Sequence, residues 1–180
     1  MSSSREKIGS RVYKLFLLTL LTLTSFSLEA KEISSAFGLS LGEIYTGELQ
    51  ALSKTTTGDP IYEFEPENPH PTFTKYGIII TSKTKRIVSI WAWTTFEDSD
   101  KCKAEFNVIE VLLDKKYKKH KYDNVTFAHA SASYRDKNRG IFLKCPVDFP
   151  SISLYLQYVD ADMQELLVQE TAESQDSDGL

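Results

Sequence analysis

Between residues 76 and 118 the hydrophobic period changes once, from two to 3.6. YGIIITS (76–82) and RIVSIWAWTTF (86–96) are dense in β-branched and aromatic residues and flank the polar link KTK (83–85), which predicts a β-hairpin. Alternation along its second strand places Val88, Ile90, Ala92 and Phe96 on one face. Ser89, Trp91, Trp93 and Thr95 take the other. Over 98–118 the residues Cys102, Phe106, Ile109, Leu113 and Tyr117 recur at helical steps and make one apolar stripe. Asp98 or Ser99 supplies an N-cap, and lysines 115, 116, 118 and 119 collect at the end where cations are favoured.

Further strands are expected at IYEFE (61–65), VTFAHASASY (125–134), GIFLKCP (140–146) and SISLYLQYV (151–159), with a last short helix at 160–172 capped by Asp160. AFGLSLGE (36–43) reads as a tight lead-in turn, TTTGDP (55–60) as turn chemistry, and PENPHP (66–71) as a loop. ESQDSDGL (173–180) lacks apolar partners and is expected to be disordered. Cys145 shares a strand face with Ile141 and Leu143, and Cys102 lies on the helix stripe, so a Cys102–Cys145 bridge joins helix to sheet. Closing that loop of about 44 residues stabilises by roughly 4 kcal/mol on the chain-entropy model. The expected fold is α+β in two layers: an antiparallel sheet of five or six strands, one long helix on a face, and the short C-terminal helix. Residues 31–172 form one domain.

The amino terminus sets the address. Arg5, Lys7, Arg11 and Lys14 precede Leu15 to Leu28, an uncharged run of 14 residues. As a helix that run spans about 21 Å, short of the roughly 30 Å hydrocarbon core, so residues 1–30 read as a cleavable secretory signal. Cleavage is expected after Ala30, with Ser27 the alternative, and the membrane is touched only if the signal stays uncleaved. Removal takes four of the 21 bases and two of the 25 acids, leaving 17 against 23 and a formal charge of −6. That balance argues against nucleic acid as a partner. The basic run KKYKKHK (115–121) is offset by seven acids and no base over 160–180.

No G-x-S-x-G, H-E-x-x-H, Walker or G-x-G-x-x-G motif is present, and no cofactor is implied. Ser82-Lys83-Thr84-Lys85 fits S-x-x-K but falls on a hairpin turn. His70, His120 and His129 are dispersed, so no metal site is expected. The carboxylates Glu63, Glu65, Glu67, Asp98, Asp100, Asp160 and Asp162 cluster at loops and strand ends, where solvation accounts for them, and no catalytic residue is assigned. The sequon at 124–126 matters only in a eukaryotic host. The sharpest functional feature is the pair Trp91 and Trp93 on one side of a strand, a platform for a protein or a sugar when exposed, and core when covered. Tyr134 and Arg135 beside the polar turn RDKNRG form a second binding candidate.

AFGLSLGE, YEFEPENPHPTFTKYGIIITSKTKRIVSIWA (62–92) and a helical Cys102 together resemble small exported bacterial proteins of unknown function with an FGLxLG-type opening. The likeness covers about residues 33–145. It implies a Gram-negative periplasmic or secreted address and carries over no catalytic residue. The expectation is a non-enzymatic binding module of the cell envelope, its partner an envelope protein or glycan. The alternatives are an inhibitor or immunity protein against a hydrolase or toxin, a hydrolase working through loop carboxylates, and a structural envelope component.

Overall fold

The computed structural model describes residues 31–117, 128–146 and 151–177. The expected signal at 1–30, the sequon, His120 and the part of the basic run from Lys118 onward lie outside these residues. Among the described residues nine strands and two helices follow one another: β1 (Ser35–Ala36), β2 (Leu39–Ser40), β3 (Gln50–Lys54), β4 (Pro60–Glu63), β5 (Lys75–Ile80), β6 (Ile87–Phe96), α1 (Ser99–Asp114), β7 (Ala128–Asp136), β8 (Arg139–Pro146), β9 (Ile152–Asp160) and α2 (Ala161–Ser177). The fold is α+β, as expected. β3 to β9 build one antiparallel sheet in the order β3-β4-β5-β6-β9-β8-β7, and β1 and β2 form a separate two-stranded sheet.

The sheet therefore has seven strands, not five or six. The additional strand is β3, a polar edge strand whose sequence QALSK has no alternation to announce it. It is held by pairing with β4 and by the turn between them, where Thr55 N–H donates to the Asp59 carbonyl and Gly58 adopts φ 94°. The lead-in segment is a small hairpin rather than a bare turn. Its tip residues Phe37 and Gly38 both take positive φ, and the Phe37 ring meets Phe73, Tyr76 and Tyr158 edge-on.

α1 covers one face. Its stripe Cys102, Phe106, Ile109, Leu113 and Tyr117 is buried against Ile78, Ile90, Ala92, Ile141, Leu143, Leu154 and Leu156. Asp98 is the cap, its Oδ1 accepting from the N–H groups of Asp100 and Lys101. Cys102 and Cys145 are both fully buried and joined in a disulfide, with Cα atoms 6.2 Å apart.

Two expectations about layering are corrected. α2 packs on the opposite face, with Met163 and Leu167 against Ile61, Ile79 and Val88, so the domain has three layers: helix, sheet, helix. Val88 also leaves the face assigned to it. A β-bulge sets Ile79 opposite Ser89 and Ile80 opposite Ile87, leaving Val88 as the extra residue. Val88 and Ser89 then turn to the same side, Ile90 and Ala92 keep the α1 side, and Ile87 is moved to it. Finally, α2 runs through Ser177, past the start of the expected disordered tail. Contacts with the β5–β6 turn hold its later part, as described below.

Candidate functional site

On the α2 side of β6, alternation presents Ser89, Trp91, Trp93 and Thr95, as the period of two requires. Both indoles are half-buried. Trp91 donates its Nε1–H to Ser89 Oγ at 2.8 Å, which fixes its ring along the strand. Trp93 makes no such bond among the described residues. Its ring tip lies over Gly77, where a Cβ would sit 3.3 Å from Trp93 Cζ3 and only 2.5 Å from Ile61 Cγ2. Glycine at 77 is therefore what lets the indole lie down on β5.

The neighbouring strands complete two rows across the sheet. In one, Lys75, Trp93, Tyr155, Lys144 and Ser131 are successive register partners on β5, β6, β9, β8 and β7. In the next, Gly77, Trp91, Gln157, Phe142 and Ser133 follow one another. α2 packs beside these rows through Met163 and Leu167 on Ile61, Ile79 and Val88, and its Gln164 and Leu167 border the aromatic surface.

The result is a cleft of about 610 Å³, with Trp91, Trp93 and Tyr155 in its floor, Gln164 and Leu167 of α2 on one side and the Thr55–Thr57 turn on the other. Its one carboxylate among the described lining residues is Asp59, which accepts hydrogen bonds from the hydroxyls of Thr55 and Thr57. A second cleft, also about 610 Å³, lies over β7 and β8 and shares Gln157, Val159 and Gln164 with the first.

α2 is tied down at its start and at its middle. Asp160 is 4% exposed; its Oδ1 accepts from the N–H groups of Asp162 and Met163, and its Oδ2 accepts from Arg139 Nε at 2.8 Å. Ten residues on, the Glu170 carboxylate accepts from the Thr84 hydroxyl, the amides of Lys83 and Thr84, and the Ser82 hydroxyl. Burial raises the pKa of Glu170, but these donors outweigh it and hold the carboxyl below its ordinary value. The Ser82–Thr84 segment is thus a carboxylate-binding turn.

Of the four binding candidates, the structure brings Trp91 and Trp93 together in the first cleft and places Arg135, exposed, in the second. Tyr134 also borders the second cleft, but its side chain turns to the other face of the sheet. Adjacent strand residues face opposite ways, so Tyr134 is buried under α1, where its hydroxyl donates to Asp114 Oδ1 at 2.7 Å. Burial first, and the Asp114 carboxylate after it, push that hydroxyl far above its usual pKa and keep it a donor. Asp98 and Asp100 serve the start of α1, and Asp160 and Asp162 the start of α2, so these four acids do not converge on the cleft. His70 sits in the proline-rich loop with its Nδ1 accepting from the Thr72 N–H, and His129 is exposed on β7. No group of three or more His, Cys, Asp or Glu suited to a metal occurs among the described residues.

Sequence reasoning did not find Lys75, Tyr155, Gln157, Phe142 or Lys144. Alternation in SISLYLQYV and GIFLKCP already separates Tyr155, Gln157, Phe142 and Lys144 from the buried Leu154, Leu156, Ile141 and Leu143. What alternation lacks is the strand order that sets β9 beside β6. Comparison with protein-family models, curated proteins and solved structures returned no match to this chain.

Proposed function

We propose that the chain is an exported, non-enzymatic binding module of the cell envelope that holds its ligand in the cleft over Trp91 and Trp93. The observation that carries this reading is the pair of half-buried indoles, side by side in the floor of an open cleft of about 610 Å³. Fixed aromatic surface bordered by amides and hydroxyls is the ordinary make-up of a recognition site. Hydrolysis by paired carboxylates finds less support, because Asp59 is the one acid among the described residues lining the cleft.

Export rests on the basic, then apolar, residues 1–30. The Cys102–Cys145 disulfide supports it, since such bonds persist in oxidising compartments. No helix among the described residues is long and apolar enough to cross a membrane. Amino-terminal sequencing of protein recovered from the envelope fraction tests this part: a start at Lys31 is expected, and recovery of intact chain from the cytoplasm overturns it.

The binding reading has a built-in reporter, because Trp91 and Trp93 are the chain's only two tryptophans. Titration with separated envelope saccharide and protein fractions is expected to give a saturable change in indole emission with one of them. Emission indifferent to both fractions, with quencher access also unchanged, sinks the reading.

A further inference from the structure

The row Lys75–Trp93–Tyr155–Lys144 sets two aromatic side chains between two lysines. The four are direct neighbours on β5, β6, β9 and β8. Three strand spacings separate the outer pair, about 14 Å between their backbones. Lys54, Lys75 and Lys144 make no ion pair among the described residues, and Lys144 Nζ lies 5.5 Å from the centroid of Phe142, which supports its stem. Among the described residues lining the two clefts, Lys54, Lys75, Arg135, Lys137, Arg139 and Lys144 are set against one carboxylate, that of Asp59. Arg139 is committed to Asp160, and Lys137 reaches Glu32 at 3.6 Å. In a chain of net charge −4, this face gathers cations and sheds acids.

Resting on the binding reading above, we infer that the ligand is a linear anionic glycan laid across the strands, with a sugar ring on Trp93 and Tyr155 and its acidic groups at Lys75 and Lys144. Stacking answers the apolar face of a pyranose. The second row supplies the polar partners: Gln157 lies between Trp91 and Phe142, and an amide both donates to and accepts from ring hydroxyls. Because the clefts share Gln157, Val159 and Gln164, a chain of several sugar units finds continuous surface where a single unit fills only the middle. Aromatic surface with flanking cations also suits single-stranded nucleic acid. The disulfide, which suits an extracytoplasmic setting, favours the glycan.

The test uses the full chain and indole emission. The probes are an oligogalacturonate hexamer, its fully methyl-esterified form, a single galacturonate, and a thymidine oligonucleotide of similar charge. Saturable binding of the hexamer is expected, weakened about tenfold or more by Lys75→Ala with Lys144→Ala, by esterification, by added salt and by shortening to the monomer. Both lysines are exposed, and unchanged unfolding confirms that the double variant is folded. Equal affinity for the ester, or no loss in the lysine variant, overturns the anionic assignment while leaving a cleft that binds neutral sugar. Tighter binding of the oligonucleotide transfers the site to nucleic acid. Emission unmoved by every probe overturns the glycan, and if envelope fractions also leave it unmoved the binding reading falls too.

Discussion

The carboxylate of Glu170 accepts the hydroxyl of Thr84 at 2.6 Å, joining the last helix to a turn 86 residues earlier in the chain. Glu170 is 5% exposed, and four donor groups converge on it. This contact holds Met163 and Leu167 over Val88 and so forms one wall of the tryptophan cleft. Glu170→Gln leaves an amide facing donors and is expected to destabilise the fold by about 1–3 kcal/mol. The folded pKa lies below the unfolded one, so the unfolded state binds the extra proton and this stability is present above about pH 4.5. It is lost as pH falls through the lower folded value. Denaturant unfolding of both proteins at neutral pH and in acid is expected to show the difference shrinking in acid; a constant difference refutes the assignment.

Gly77 is where the sheet yields to Trp93. Gly77→Ala puts a methyl 2.5 Å from Ile61 Cγ2 and 3.3 Å from the indole. Overpacking of this kind costs about 1–3 kcal/mol, and the indole must shift. Gly140→Ala, whose methyl meets Phe142 at 3.4 Å, is the milder control. Thermal unfolding and emission spectra are expected to show a larger change at 77 than at 140, and the reverse order contradicts the placement of the ring.

The bridge between Cys102 and Cys145 closes a separation of 43 residues through a fully buried site. Replacing both by Ala is expected to cost about 2–5 kcal/mol. Urea unfolding of the variant, compared with wild type before and after reduction, checks it. Wild type after reduction is expected to approach the variant, whereas a reduced protein as stable as the oxidised one rules out a strong contribution.

Tyr134→Phe removes a hydroxyl that lies under α1, remote from the aromatic rows. Because Asp114 is exposed and water replaces the lost donor, the expected cost is about 1 kcal/mol. Ligand affinity in the tryptophan cleft is expected to remain unchanged. A large loss of affinity instead returns Tyr134 to the site.

Local physics made much of this legible in the sequence. A period of two in RIVSIWAWTTF and of 3.6 from Cys102 to Tyr117 determined strand, helix and which sides carry the apolar groups, because those repeats follow from backbone geometry alone. The same patterns put both cysteines toward a core and both tryptophans on one side of a strand. Three matters were decided only in the tertiary structure. The bulge at Val88 exchanged the faces of Ile87 and Val88, because an inserted residue shifts the alternation of what precedes it without marking itself in composition. Strand order set β9 beside β6 and so lined up Lys75, Trp93, Tyr155 and Lys144, residues up to 80 positions apart that no local period relates. The layer taken by α2 depended on Asp160 and Glu170 finding Arg139 and the Ser82–Thr84 turn, polar contacts whose energy exists only once the chain has brought them together.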